Sequence, residues 1–166
     1  MKSVAFIFVT GTSWMDSLVT TVTKSRWSHV VLRFEEDILL VEALAGRGFI
    51  VQSGNKYDGW EPSLTVTKQV PAAAYDKMLE SSRQWATENT PYGYRTCVAI
   101  GVKEMCGERA GLLALKWLTA GRANSLVCSE LMVKLWRIAF PDFLPGRESR
   151  LVSPDELYKA MNEKFS

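Results

Sequence analysis

Three residues whose side chains can together break an acyl bond occur in this chain in the order His29, Glu42, Cys128. His29, in SRWSHVVLRF, is the sole histidine, so any imidazole chemistry falls to it. Cys128 lies in NSLVCSELMVKLW, where the apolar spacing predicts an amphipathic helix starting close to the cysteine. Unpaired N–H groups and the helix dipole at such a start favour thiolate over thiol. The same N–H groups can hold an oxyanion when the sulfur attacks a carbonyl. Glu42 is the lone carboxylate of the apolar run ILLVEALAG, a costly residue to bury without a partner. A nucleophile, a base and an acceptor that orients the base make up the triad logic of acyl transfer. Each residue alone has an ordinary explanation: a strand histidine packs, a strand glutamate faces water and a helical cysteine fills space. Their combination carries the chemical reading.

The positions of these residues rest on the elements around them. VAFIFVTG reads as a buried strand ended by Gly11, followed by a helix with Ser13 as N-cap and Trp14, Leu18 and Val22 at helical spacing. SHVVLRF and ILLVEAL read as a hairpin across Glu35–Asp37, which sets His29 opposite residue 42 or 43. FIVQSG and LTVTKQV are two further strands. Should Glu42 fail as the orienting group, Gln52 on the next strand or a main-chain carbonyl takes its place. A helix starts at Pro71, with Tyr75, Met78, Leu79 and Trp85 inward. TPYGYRT reads as a loop, residues 97–123 as one or two helical pieces, and SLVCSELMVKLWRIAF as a helix stopped by Pro141. The last helix has a capping box, with Ser153 as N-cap, Pro154 at the first helical position and Glu156 three after the cap. Strands first and helices later predict an α+β fold with one small antiparallel sheet, in a single domain over residues 1–166.

Composition narrows the function classes. With 47% hydrophobic and 23% charged residues the chain has an ordinary globular mix, and its formal charge of +2 gives no ground for a nucleic-acid or membrane partner. Three cysteines without a CxxC pair are no disulfide framework, and with one histidine a zinc site lacks ligands. No metal or cofactor is implied. The cysteine usage points to a reducing, cytoplasmic compartment. The apolar run after Met1-Lys2 is too short and lacks a clean cleavage site for a signal peptide, and no segment has the roughly 18 apolar residues of a membrane helix. Some of the six tryptophans are expected to line a pocket.

The order WSHVVLRF, LLVEALAGRGFIV, LVCSELMVKLW and LVSPDELYKA resembles the circularly permuted branch of the NlpC-type papain-like cysteine hydrolases, within it the bacterial YiiX/YaeF-like group. Such enzymes place the histidine first and the cysteine late, the reverse of ordinary papain-like order. The resemblance implies a papain-like fold, with Cys128 as nucleophile, His29 as base and Glu42 as the polar third member. It implies that Tyr92, beside Pro91 in the PYGYR loop, lies near substrate, and Ser129 is expected to contact substrate next to the nucleophile. The expected activity is hydrolysis of an amide or ester bond in a peptide, cell-wall or acyl-lipid substrate. An acyltransferase of the lecithin retinol acyltransferase-like type shares the layout, but its third residue is often a second histidine, which this chain lacks. A non-catalytic binding module on the same fold is the other alternative. Residues 97–123 have no counterpart in the likeness.

Overall fold

The computed structural model describes residues 1–12, 14–88, 90–120 and 125–164. Five strands come first, interrupted by one helix: β1 (Lys2–Val9), α1 (Trp14–Thr23), β2 (His29–Phe34), β3 (Leu39–Leu44), β4 (Gly48–Ser53) and β5 (Ser63–Val70). The helices α2 (Ala72–Thr87), α3 (Tyr94–Cys106), α4 (Glu108–Leu118), α5 (Cys128–Ala139) and α6 (Pro154–Lys164) follow. The strands form one antiparallel sheet in the order β4-β3-β2-β1-β5, so the architecture is α+β. Ser13, read as the N-cap of α1, lies outside the described residues, as do the side chains of Trp14 and Leu18. No described helix is long and apolar enough to cross a membrane.

The period-two alternation of the strands divides the sheet into two faces. Phe6, Phe8, Val30, Leu32, Phe34 and Val41 point to the main core and meet α2, α5 and α6. Phe6 packs edge-on against Trp136 of α5 at 5.1 Å, and Phe34 against Tyr75 of α2 at 4.9 Å. Aromatic pairs of this kind add about 0.5–1.5 kcal/mol beyond the area they bury. Eight of the twelve residues of α5 are buried, so α5 is the central helix and its start is fixed from all sides. Ile7, Val9, Val31 and Leu40 point the other way and close a second, smaller cluster with Tyr57.

The β2–β3 hairpin differs from the reading of its sequence. Its turn takes Glu35–Ile38, with Ile38 at φ 50°, and β3 starts at Leu39. Leu32 pairs with Val41, Arg33 with Leu40 and Phe34 with Leu39. Continued outward, this register sets Glu42 against Val31 and Leu44 against His29, in place of the expected 42 or 43. His29 and Glu42 are therefore diagonal neighbours on one face, still within reach of long side chains.

Residues 97–123 contribute to two helices, which meet at Gly107, whose φ of 91° neither helix can use. The first begins at Tyr94, inside the stretch read as loop. In α5 the helix begins at Cys128, three residues later than Ser125, because Leu126 is engaged elsewhere. It pairs with the 90–93 segment: Leu126 N–H donates to Pro91 O (3.0 Å) and Gly93 N–H to Leu126 O (2.9 Å). Phe49 N–H donates to Thr90 O (2.9 Å), which ties the same segment to β4. The capping box of α6 is present, with Ser153 N–H donating to Glu156 Oε2 (2.9 Å) and Glu156 N–H to Ser153 Oγ (3.3 Å).

Candidate active site

Cys128 is the first residue of α5, preceded by Val127 in extended conformation, and it is 3% exposed. The imidazole of His29 is the main group that favours the Cys128 thiolate, and the backbone N–H groups of Val30 and Ser129 add to it. Val30 and His29 are the opening residues of β2, the strand against which α5 packs. Burial opposes the thiolate, but the His29 hydrogen bond and charge, with the two N–H groups, outweigh it and hold the thiol below its ordinary range.

His29 is 12% exposed at its side chain, and its Nε2–H donates to Glu42 Oε2 at 3.1 Å. With Nε2 so engaged, Nδ1 is the ring nitrogen left for a second partner. Burial again disfavours the charged ring, yet the bonds to Cys128 and Glu42 and the charges behind them raise its pKa to about 9. The thiol is lowered and the imidazole raised, and both shifts favour a thiolate–imidazolium pair.

Glu42 is fully buried, and three donors besides His29 surround it. Tyr57 Oη–H donates to Oε2 (2.5 Å), Gln52 Nε2 to Oε1 (2.6 Å) and Lys56 Nζ to Oε1 (3.1 Å). Burial pushes this carboxyl up, and the hydrogen bonds of His29 and Tyr57 with the charges of His29 and Lys56 bring it below its ordinary value. The same contact, after burial, raises Tyr57 well above the usual phenol range and keeps it a donor. Gln52, the reserve candidate for orienting His29, serves Glu42 instead. Lys56 and Tyr57 were not found in the sequence: they lie in the NKYDGW loop, which has no periodic pattern.

A cleft of about 230 Å³ opens over His29. Val9, Val19, Leu44, Trp60 and Tyr92 supply apolar wall, and Asp16 and Lys56 supply opposite charges. Ser28 fastens one side by donating to Asp16 Oδ1 (2.7 Å) and accepting from Gly11 N–H (3.0 Å). Trp60 closes the other side, with its indole N–H donating to Thr10 O (3.3 Å). Tyr92 stands in the wall, its hydroxyl 3.7 Å from Cys97 Sγ.

Ser129 is placed otherwise than expected. Its side chain is buried, turned from the cleft, and donates to Val152 O at 2.6 Å. The hydroxyl thereby moors the start of α5 to the segment before α6, and only its backbone N–H faces the sulfur. The other two thiols lack this setting. Burial pushes Cys97 up to about 12, and Cys106 is exposed at the end of α3. Among the described residues no three His, Cys, Asp or Glu side chains come together as a metal site would need.

No family model, curated protein or solved structure matches this chain.

Proposed function

We propose that the chain is a cysteine hydrolase of the permuted papain-like type, cleaving an amide or ester bond through a thioester on Cys128. The observation that supports the reading is one imidazole hydrogen-bonded to a buried carboxylate, on the strand against which the helix starting at Cys128 packs. In the reaction the Cys128 thiolate adds to the carbonyl carbon, and the N–H groups at the start of α5 receive the developing oxyanion. The His29 imidazolium gives its Nδ1 proton to the departing amine or alcohol as the C–N or C–O bond breaks. The neutral imidazole then takes a proton from water, whose oxygen displaces the sulfur and releases the acid. Glu42 stays ionised throughout and stabilises the imidazolium, as the orienting carboxylate of such a triad does.

The charges of Asp16 and Lys56 at the cleft support water as the acceptor, since a wholly apolar pocket would suit transfer to a second organic substrate better. The test is incubation with a panel of activated acyl esters and peptide amides, followed by intact mass. A single acyl adduct on Cys128, absent in Cys128→Ala, is the expected result. Turnover that survives Cys128→Ala would overturn the mechanism.

A further inference from the structure

The α3–α4 hairpin has a surface unlike the rest of the molecule. On α4 the exposed positions are Arg109, Leu112, Leu113, Lys116 and Trp117, spaced so that they form one stripe along the helix. Leu113 is 70% exposed and Trp117 81%. On α3, Val98 and the 65%-exposed Met105 extend the apolar surface, and Arg95 adds a cation whose guanidinium also caps α4 by donating to Leu118 O (3.0 Å). No acidic residue lies in the exposed stripe itself, and a carboxylate, the 40%-exposed side chain of Glu108, is at the start of α4. The two carboxylates there, Glu104 and Glu108, are partly covered and are held by Lys103 and Arg147. By contrast α2, of ordinary surface type, exposes Asp76, Lys77, Glu80 and Arg83 together.

We propose that this hairpin docks on an anionic lipid bilayer. Protruding Leu and Trp side chains flanked by Arg and Lys match a membrane interface, where the indole sits at headgroup depth and the cations meet lipid phosphates. A second copy of the chain is a poorer occupant, because a symmetric contact brings Arg109 and Lys116 against their own charges. The small net charge of the chain conceals the feature, which arises from how charge is distributed. Tyr94 at the start of α3 packs edge-on against Tyr92 of the cleft wall at 5.1 Å, so the docking surface begins beside the cleft. An acyl-lipid substrate would follow from docking there, a step that rests on the hydrolase reading, whereas docking itself does not.

The full chain is floated with vesicles of phosphatidylcholine alone and of phosphatidylcholine mixed with phosphatidylglycerol. Binding is expected to the mixed vesicles only and to weaken with salt. Arg109→Gln with Lys116→Gln should weaken it roughly 25-fold, at about fivefold per cation near an anionic surface. Leu113→Ala with Trp117→Ala should weaken it about tenfold or more, and both double variants should melt as the parent does because the residues are exposed. Cys128→Ala should bind as the parent does, which separates docking from catalysis. Absence of binding, or binding unchanged in both double variants, would overturn the proposal. So would a dimer that these variants disperse, or equal binding to polyglutamate that survives Leu113→Ala with Trp117→Ala.

Discussion

Glu42→Gln isolates one charge and nearly preserves shape. The carboxylate oxygen lies 3.1 Å from His29 Nε2 in a fully buried position. At an effective dielectric constant near 20, a unit charge at that distance contributes about 5 kcal/mol of gross attraction. Lys56, 3.1 Å from the other oxygen, offsets part of it. A net loss of about 1.5–3 kcal/mol lowers the His29 pKa by roughly one to two units from its value of about 9. The imidazolium favours the Cys128 thiolate, so the thiol pKa should rise as that of His29 falls, and alkylation in the acidic limb should slow roughly ten- to a hundred-fold if the loss of about 1.5–3 kcal/mol is passed on to the thiolate. The assay needs no substrate. Alkylation of Cys128 by iodoacetamide is followed by intact mass against pH in a Cys97→Ser, Cys106→Ser background. The parent should react with a midpoint below the ordinary thiol value, and Glu42→Gln should shift the midpoint upward. Lys56→Met should shift it the other way, because it removes a cation that competes for Glu42. Identical pH profiles in parent and Glu42→Gln would refute the electrostatic account. The variant should also melt earlier, since its amide N–H₂ faces the donors of Gln52, Lys56 and Tyr57, at a cost of about 1–3 kcal/mol.

Turnover on the substrate found by the adduct screen should rise with pH through the depressed Cys128 pKa and fall as His29 loses its proton near 9; a single-limbed profile would contradict the ion pair. The depressed carboxyl of Glu42 contributes stability that is present above the unfolded value of about 4.3 and lost as pH falls through the folded one. The melting advantage of the parent over Glu42→Gln should therefore shrink on acidification, as calorimetry would show. Tyr57→Phe removes a 2.5 Å bond to a carboxylate and should cost about 1.5–3 kcal/mol, seen as a melting temperature lower by several degrees. Ser129→Ala should lower stability by about 1–3 kcal/mol through the orphaned Val152 carbonyl while leaving Cys128 alkylation unchanged; slowed alkylation would return Ser129 to the site.

Strand periodicity was sufficient to read all five strands and to put His29 near Glu42, and the capping box of α6 was legible in its residues. Periodicity was insufficient for the hairpin register. The turn has four residues because Ile38 adopts a left-handed conformation that β-branched residues seldom take, which no propensity would suggest. The start of α5 was misjudged for a tertiary reason, since the pairing of Leu126 with the 90–93 segment removes three residues that pattern alone would give to the helix. Ser129 was assigned by adjacency to the nucleophile, but successive helical residues point about 100° apart, and its hydroxyl faces the C-terminal segment. Lys56 and Tyr57 act from a loop whose course is set by contacts distant in sequence.

The mooring of Ser129 to Val152 has a consequence for the order of events during synthesis. The histidine and its carboxylate emerge early, the cysteine much later, and the carbonyl that anchors the start of the cysteine's helix later still. Until that last stretch leaves the ribosome and settles, the Ser129 hydroxyl has no Val152 carbonyl to donate to, and the start of α5 is held by its other contacts alone. The hold on this helix start is therefore a late one, and a truncated or stalled product that lacks Val152 carries the start of α5 without its anchor.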